Sequence, residues 1–403
     1  MKVLILCGVF AKENEQEVIS NAKRTVEFSA NIFQKKLING FCEIGADFEV
    51  ISAPFIGSYP NASKMRKFQG FSNEQTEYTY VPFNNLWGIR NFSRATALKA
   101  KLNTFIQEEC NEKLIVIYSP HTPFLDAAVF AKKQDARIRI CMVVPDLPQY
   151  MNLNEHVSWI YRIGKKCDIA RFNYLNTYVD SYVLLTEAMK EPLRVGLKPY
   201  LVVEGLVDSE RLHMKLPKKE IRKETYIVYT GKMNRKFGVC DLVDAFADMV
   251  DPNYRLILCG SGDAEDYIQA CAQKDKRIIC FGQVAPDVAQ EWIMKADVLV
   301  NPRPNNEEYT KYSFPSKNIE YLLSGNPVVA YMLDGMPTIY EKCFFVAEED
   351  MKTGLGEAII KALMAREEQK KYKFIVAYKH FRLLVGKEVA SKLIEMNSTN
   401  SKD

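Results

Sequence analysis

Short apolar runs alternate with amphipathic stretches along almost the whole chain, a pattern that predicts parallel sheets covered by helices. In the first half, strands are predicted at 3–7, 48–52, 79–82, 114–118, 138–144, 181–185 and 201–203. Helical spacing covers 16–38, 93–109, 124–133 and 154–173. In the second half, strands are predicted at 226–229, 255–259, 277–281, 298–301 and 328–331, with helices at 239–249, 264–273, 284–294 and 317–323. The pattern predicts an α/β protein of two doubly wound, Rossmann-like domains. The first spans 1–204, the second 205–375, and 376–403 forms a C-terminal helix and tail packing back toward the first domain. A segment with Gly205, Pro217 and several charges, 204–219, reads as the linker. In open parallel sheets a ligand sits beyond the carboxyl ends of the strands, so two such sheets facing each other predict a site in the cleft between them.

At 403 residues the chain is long for one core and comfortable for two. The formal charge of +4 is too weak to argue for nucleic acid, but nearly all of the positive excess precedes residue 206. Clusters there include Lys64, Arg66 and Lys67, then Lys132, Lys133, Arg137 and Arg139. The stretch from Trp159 to Lys166, continuing through Arg171 to Tyr174, mixes aromatic rings with cations, as a face resting on lipid headgroups does. Gly164 interrupts it and argues against one continuous helix. The expectation is peripheral contact of the basic first domain with the inner membrane. Ten cysteines are scattered without Cys-x-x-Cys spacing, and Cys7, Cys141, Cys259 and Cys280 fall in apolar runs where a free thiol behaves as a small hydrophobe. That argues against a disulfide framework and for the cytoplasm. The N-terminal Met1–Gly8 run is too short for a signal peptide, and no apolar stretch is long enough to span a bilayer.

The densest chemistry lies in Tyr312-Ser-Phe-Pro-Ser-Lys-Asn-Ile-Glu-Tyr-Leu-Leu-Ser-Gly325. Pro315 suits the first position of a helix, and Gly325-Asn326-Pro327 ends it before a buried strand. Free N–H groups near Ser316 and Lys317 offer a seat for phosphate, and Glu320, one turn in, can accept hydrogen bonds from a sugar diol. Upstream, a strand runs into Thr230-Gly-Lys-Met-Asn-Arg-Lys-Phe-Gly238, a glycine turn with Lys232, Arg235 and Lys236. Such cations stabilise the charge of a departing diphosphate without a proton transfer. Gly260 and Gly282, at two neighbouring strand ends, let a flat base approach the backbone. Phosphate, diol and base together predict a nucleotide sugar, with the carboxylate at 320 and the ammonium groups near 232 meeting on one small molecule.

These segments, Tyr229-Thr-Gly-Lys232, Leu258-Cys-Gly-Ser-Gly262, Phe281-Gly-Gln283, Ala296–Asn301 and Pro315–Gly325, resemble the nucleotide-sugar domain of the family 4 glycosyltransferases of GT-B architecture. Weaker similarity runs through Val144-Pro-Asp-Leu-Pro148 and Leu185-Thr-Glu187. The resemblance implies that Glu320 holds the donor ribose and Lys232 the diphosphate, and that backbone groups around Ser313, Phe314 and Ser316 cradle sugar and phosphates. It puts Gly231, Gly260, Gln283 and Val284 around the nucleotide. Three positions depart from the family. Tyr312 stands in place of the first glutamate of its pair, Phe237 in place of the second phosphate cation, and Pro145 in place of a histidine near the reacting centre. Arg235 or Lys236 must then replace the missing cation, and Asp146 is left as the polar group available to the acceptor hydroxyl.

Gly8 and His121, each following a predicted strand of the first domain, join Asp146 as candidate acceptor contacts. The four histidines show no metal spacing and no Asp-x-Asp pair occurs, so neither a metal nor a cofactor is expected beside the nucleotide-sugar substrate. The resemblance implies a retaining transfer of a hexose to a hydroxyl of a lipid-linked or growing oligosaccharide in bacterial surface polysaccharide synthesis. Two other readings stay open: a nucleotide-sugar epimerase of the same build, and a non-catalytic nucleotide-sugar-binding partner of another transferase.

Overall fold

The structure is a computed structural model that describes residues 1–10, 14–23, 28–73, 78–148, 159–213, 222–348 and 353–398. The chain divides into two units, Met1–Leu206 together with Leu384–Asp403, and Val207–Leu383.

The first unit carries strands β1 (Lys2–Cys7), β2 (Phe48–Ser52), β3 (Lys67–Phe68), β4 (Phe71–Asn73), β5 (Tyr78–Tyr80) and β6 (Phe83–Asn84). It continues with β7 (Lys113–Tyr118), β8 (Ile138–Val144), β9 (Ser181–Leu184) and β10 (Tyr200–Val202). Among the described residues these give a sheet in the order β10-β9-β8-β7-β1-β2-β5-β4, parallel except where β4 meets β5, and a small β3–β6 antiparallel pair. β1 lies at the centre, Val3 aligning with Phe48 on one side and Leu114 on the other. Every residue of β7 is buried, because helices cover both faces, and from Leu114 on the strand is apolar at consecutive rather than alternate positions; the buried Lys113 at its start is paired with Asp135 at 3.0 Å. That is why these strands were legible as continuous runs.

The second unit repeats the plan with β11 (Thr225–Thr230), β12 (Tyr254–Cys259), β13 (Ile278–Gly282), β14 (Val298–Asn301), β15 (Val328–Ala330) and β16 (Phe345–Val346). All run parallel in the order β13-β12-β11-β14-β15-β16. The helices Val239–Ala247 and Gly354–Met364 bury Leu242, Phe246, Leu355 and Ile359 against this sheet.

Both sheets wind outward from a central strand and then restart on its other side. The reversal falls between β1 and β7 in the first unit and between β11 and β14 in the second. Beyond the strand ends at such a reversal, the two connecting loops part in opposite directions and leave a crevice.

Several predicted helices differ from those observed. The 16–38 pattern is two helices, Glu15–Asn21 and Phe28–Glu43. The first stops because Ala22 turns extended to form a bridge with Ser63, and Lys64 N–H bonds to the Asn21 carbonyl at 2.8 Å. The 93–109 pattern likewise breaks at the fully buried Leu102, into Arg90–Lys101 and Asn103–Gln107. Gly164, expected to interrupt, lies inside one helix, Trp159–Asn176, where a side chain would meet no neighbouring element and a glycine costs only propensity. Residues 154–158 and 214–219, from the predicted helix and linker, lie outside the described residues, as does Gln149; the side chains of 159–162 do too.

The C-terminal helix Gly386–Asn397 returns to the first unit, as the sequence predicts, whereas Glu367–Phe381 remains with the second. Its contact with Phe28–Glu43 is backbone against backbone: a Cβ on Gly40 would fall 2.2 Å from the Gly386 carbonyl oxygen. Asn397 closes the seat, its side-chain oxygen accepting from Ser181 Oγ at 2.7 Å and its carbonyl from Arg139 at 2.9 Å. Gly40→Ala should therefore lower the unfolding free energy of the first unit by about 1–3 kcal/mol, the range for overpacking a close contact. Denaturant melts measure that loss, and amide exchange over 386–397 should quicken while the 316–323 helix stays unchanged.

Candidate functional site

In the second unit the loops after β11 and β12 interlock through glycines. Gly231 N–H bonds to the Cys259 carbonyl at 2.7 Å, and Met233 N–H to the Ser261 carbonyl at 2.8 Å. Gly260 has φ +147° and stands so close that a Cβ on it would lie 1.7 Å from the Gly231 carbonyl oxygen. The space at Gly260 is filled by the neighbouring loop, so this glycine serves the meeting of two loops; Gly282 (φ +67°) faces open space. Arg235 N–H bonds to Asp263 Oδ1 at 2.7 Å, and Ser261 Oγ lies 3.4 Å from Gln283 Oε1, tying the third loop to the second.

Opposite them, across the reversal, stands the helix Ser316–Leu323. Pro315, expected at its first position, is instead the extended residue before it, with ψ 105°, and no side chain caps its first N–H groups. Two buried side chains fix its position. The Tyr321 hydroxyl accepts from Thr230 N–H at 2.8 Å, at the end of β11, and Asn318 Oδ1 accepts from Asn301 at 2.7 Å, at the end of β14. Burial pushes the Tyr321 phenol well above its usual range, so it stays protonated in this role. The helix start is thus held at the carboxyl ends of the two strands that define the reversal. Glu320 is exposed on this helix, and its charge acts on Lys317.

The predicted cations differ in how they are held. Lys232 is exposed, its carbonyl taken by the Tyr229 hydroxyl at 2.7 Å. The Arg235 guanidinium lies 5.4 Å from the Tyr267 ring and 3.8 Å from Cys240 Sγ, and the Lys236 ammonium lies 5.3 Å from the Phe237 ring. Ser316, Gln283 and Lys236 are exposed, Ser313, Val284 and Tyr312 half-buried, and Phe314 is core, its ring 4.9 Å from Tyr340.

Two cations at this site escaped the sequence reading. Arg303 follows β14, packs 5.5 Å from the Phe237 ring and 5.0 Å from Tyr309, and donates to Ser313 Oγ at 2.8 Å. A guanidinium from another strand therefore covers the phenylalanine that stands where the family has a cation. Lys317 lies over Gly231: a Cβ there would meet its Cε at 2.2 Å and its Nζ at 2.8 Å. Burial lowers the Lys317 pKa, against the opposing pull of Glu320 and Cys259. The signal for Lys317 was present in the Pro-Ser-Lys start of the helix, but its direction is set by a glycine far away in sequence.

In the first unit, the reversal between β1 and β7 is lined by Gly8 and by His121. Gly8 N–H bonds to the buried Gln34 side chain at 2.7 Å, and a Cβ on Gly8 would strike the Phe55 ring at 2.5 Å. His121 precedes the helix Thr122–Gln134, edge-on to Phe55, with Nδ1 shut away from solvent and without a hydrogen-bond partner. Asp146 is exposed beyond β8, and its charge helps to raise the Tyr118 pKa, which burial raises most. Among the described residues no group of three His, Cys, Asp or Glu side chains could hold a metal, and no helix is long and apolar enough to cross a membrane.

Residues 224–365, the span that builds the second-unit site, match the family described as glycosyl transferases group 1. No curated protein sequence matches the chain. Among solved structures it is similar to the sucrose-phosphate synthase of Thermosynechococcus elongatus, with 14% identity, a TM-score of 0.62, and 98% of this chain and 97% of that one covered. It is similar to HepE of Anabaena, solved with UDP, with 14% identity, a TM-score of 0.60 and coverage of 98% and 99%. WaaG, a glycosyltransferase involved in lipopolysaccharide biosynthesis, aligns with 13% identity, a TM-score of 0.59 and coverage of 99% and 100%. The fold is that of the GT-B glycosyltransferases, two Rossmann-like domains, and the second unit carries the group 1 sequence pattern.

Burial, then the charges of Arg94 and Arg90, holds the His121 pKa well below its ordinary value, so the ring stays neutral in the folded chain. The unfolded chain takes up this proton first, near pH 6.5. His121 therefore contributes stability that is present above about pH 6.5 and is lost as pH falls toward the folded pKa. Thermal melts of the wild type should lose stability across that window faster than His121→Gln, with a difference in slope of at most about 1.4 kcal/mol per pH unit.

Proposed function

We propose that this protein is a glycosyltransferase that moves a hexose from a nucleotide-diphosphate sugar to a hydroxyl of a lipid-linked or growing oligosaccharide in surface polysaccharide synthesis, with retention of anomeric configuration. One observation carries the reading: an uncapped helix start and a pair of interlocked glycine loops lie together at the sheet reversal, within the segment that matches the group 1 family. Helix N-termini and glycine loops recognise phosphate, and the exposed Glu320 suits a ribose diol. Structural likeness to HepE, solved with UDP, and to WaaG, of lipopolysaccharide biosynthesis, agrees with a nucleotide donor and a saccharide acceptor.

In the transfer the acceptor oxygen bonds to the anomeric carbon, the bond from that carbon to the diphosphate oxygen breaks, and the hydroxyl proton leaves to a base. The donor belongs to the second unit in this reading, with Gly231, Lys232, Arg235, Lys236, Gly260, Gln283, Val284 and the loop Tyr312 to Ser316 around it. The acceptor belongs to the first, with Gly8, His121 and Asp146, and Asp146 is the candidate base. Cations of the chain neutralise the leaving diphosphate, so no metal or other cofactor is required. A lipid-linked acceptor would bring the protein to the cytoplasmic face of the membrane, where exposed cations such as Lys166 and Arg171 meet anionic headgroups.

The test is nucleoside diphosphate release from UDP-, GDP- and ADP-hexoses with and without oligosaccharide acceptors, in EDTA. One donor should turn over, faster with acceptor, at a rate chelation leaves unchanged; an epimer formed from donor alone would instead identify an epimerase. Glu320→Gln should keep the fold, since the side chain is exposed, and lower kcat/KM about 10- to 100-fold, as expected for a lost hydrogen bond to a charged acceptor.

A further inference from the structure

Lys317 is half-buried, whereas Lys232, Arg235 and Lys236 around the interlocked loops are exposed. Arg303 donates to Ser313 and stacks on two rings, Arg235 reaches Tyr267 and Cys240, and Lys236 lies by Phe237. Lys317 has no hydrogen bond or ion pair among the described residues. Its side chain crosses the face of Gly231, where a Cβ would sit 2.2 Å from its Cε, so only glycine leaves it room to lie there. Behind Gly231, the carbonyl of that residue presses on Gly260, and the chain between them cannot retreat. The ammonium is thereby aimed over the loop after β11, from the first turn of a helix that no side chain caps.

A cation partly withdrawn from water and left unpaired costs free energy that the fold could avoid with a methionine. The helix start beside it favours negative charge for the same reason that it disfavours this lysine. A bound anion relieves both at once. Resting on the nucleotide-sugar reading above, we infer that the Lys317 ammonium is the principal group that takes the phosphoryl oxygens of the donor diphosphate, ahead of Lys232, Arg235 and Lys236. The site is then complete without a cation at Phe237: Lys317 supplies from the helix what the glycine loop lacks.

Titration calorimetry on the full-length protein tests this with UDP, GDP, ADP and inorganic pyrophosphate as probes. Lys317→Met should weaken the best-bound nucleoside diphosphate and pyrophosphate at least tenfold, and Lys232→Met should weaken them less. Without ligand, the melting temperature of Lys317→Met should equal or exceed that of the wild type, because an unpaired charge is removed; Lys317→Gln provides the same readout should the methionine disturb the fold. Wild-type binding of a nucleoside diphosphate that neither variant changes by more than twofold overturns the role of Lys317 and leaves the nucleotide-sugar reading standing. Lys317-dependent binding of pyrophosphate with no nucleoside diphosphate bound supports the lysine and overturns the reading. No binding of any probe to the wild type overturns both.

Discussion

The second unit depends on one steric fact: the backbone of Gly231 has no room on either side. The Gly260 α-carbon closes one face and the Lys317 side chain the other. Three segments far apart in sequence therefore meet at this one glycine. The contact lies at the ends of β11 and β12, and the Tyr321 hydroxyl extends it to the helix by taking the N–H that ends β11. An added methyl group at 260 has nowhere to go, because the Gly231 carbonyl cannot yield as a flexible side chain would; at 231 it would displace the end of the Lys317 side chain and strain a backbone held at φ +148°.

The same contact explains how the unit keeps a charged side chain in a fixed place. Preorganised positive groups act most strongly where water is excluded and where they need not move to meet the developing charge. Lys317 is held by packing rather than by an ion pair, so its position does not have to be released before an anion binds. Arg303, by contrast, is occupied with Ser313, Phe237 and Tyr309 and stiffens the loop after β14. Holding and binding are divided between two cations from different elements.

Most of the architecture was legible because strands buried on both faces, such as β7 and β12, leave continuous apolar runs, and because Gly325 with Pro327 marks a helix end. Helix breaks at Ala22 and Leu102 were not, since nothing local disfavours a helix there; a bridge to Ser63 and burial of Leu102 override the local pattern. Strands of two or three residues, β3, β4 and β6, are too short to show a period. At the site, the glycine loops and Glu320 were visible as motifs. Lys317 and Arg303 were not, because their meaning lies in what they face, Gly231 and Phe237, and no spacing along the chain encodes that. A further reason for Gly260 was hidden: a neighbouring carbonyl leaves no room for a side chain there.

The return of the helix Gly386–Asn397 to the first unit makes the second unit an insertion within it. On the ribosome, residues 207–383 emerge whole before the strands β8 and β9 meet Asn397, their last partner. The half with the glycine loops can thus close its core while the half begun earlier still lacks its final helix. Order of synthesis and order of completion run opposite ways, and a chain cut short before residue 386 would leave the first unit without its last helix.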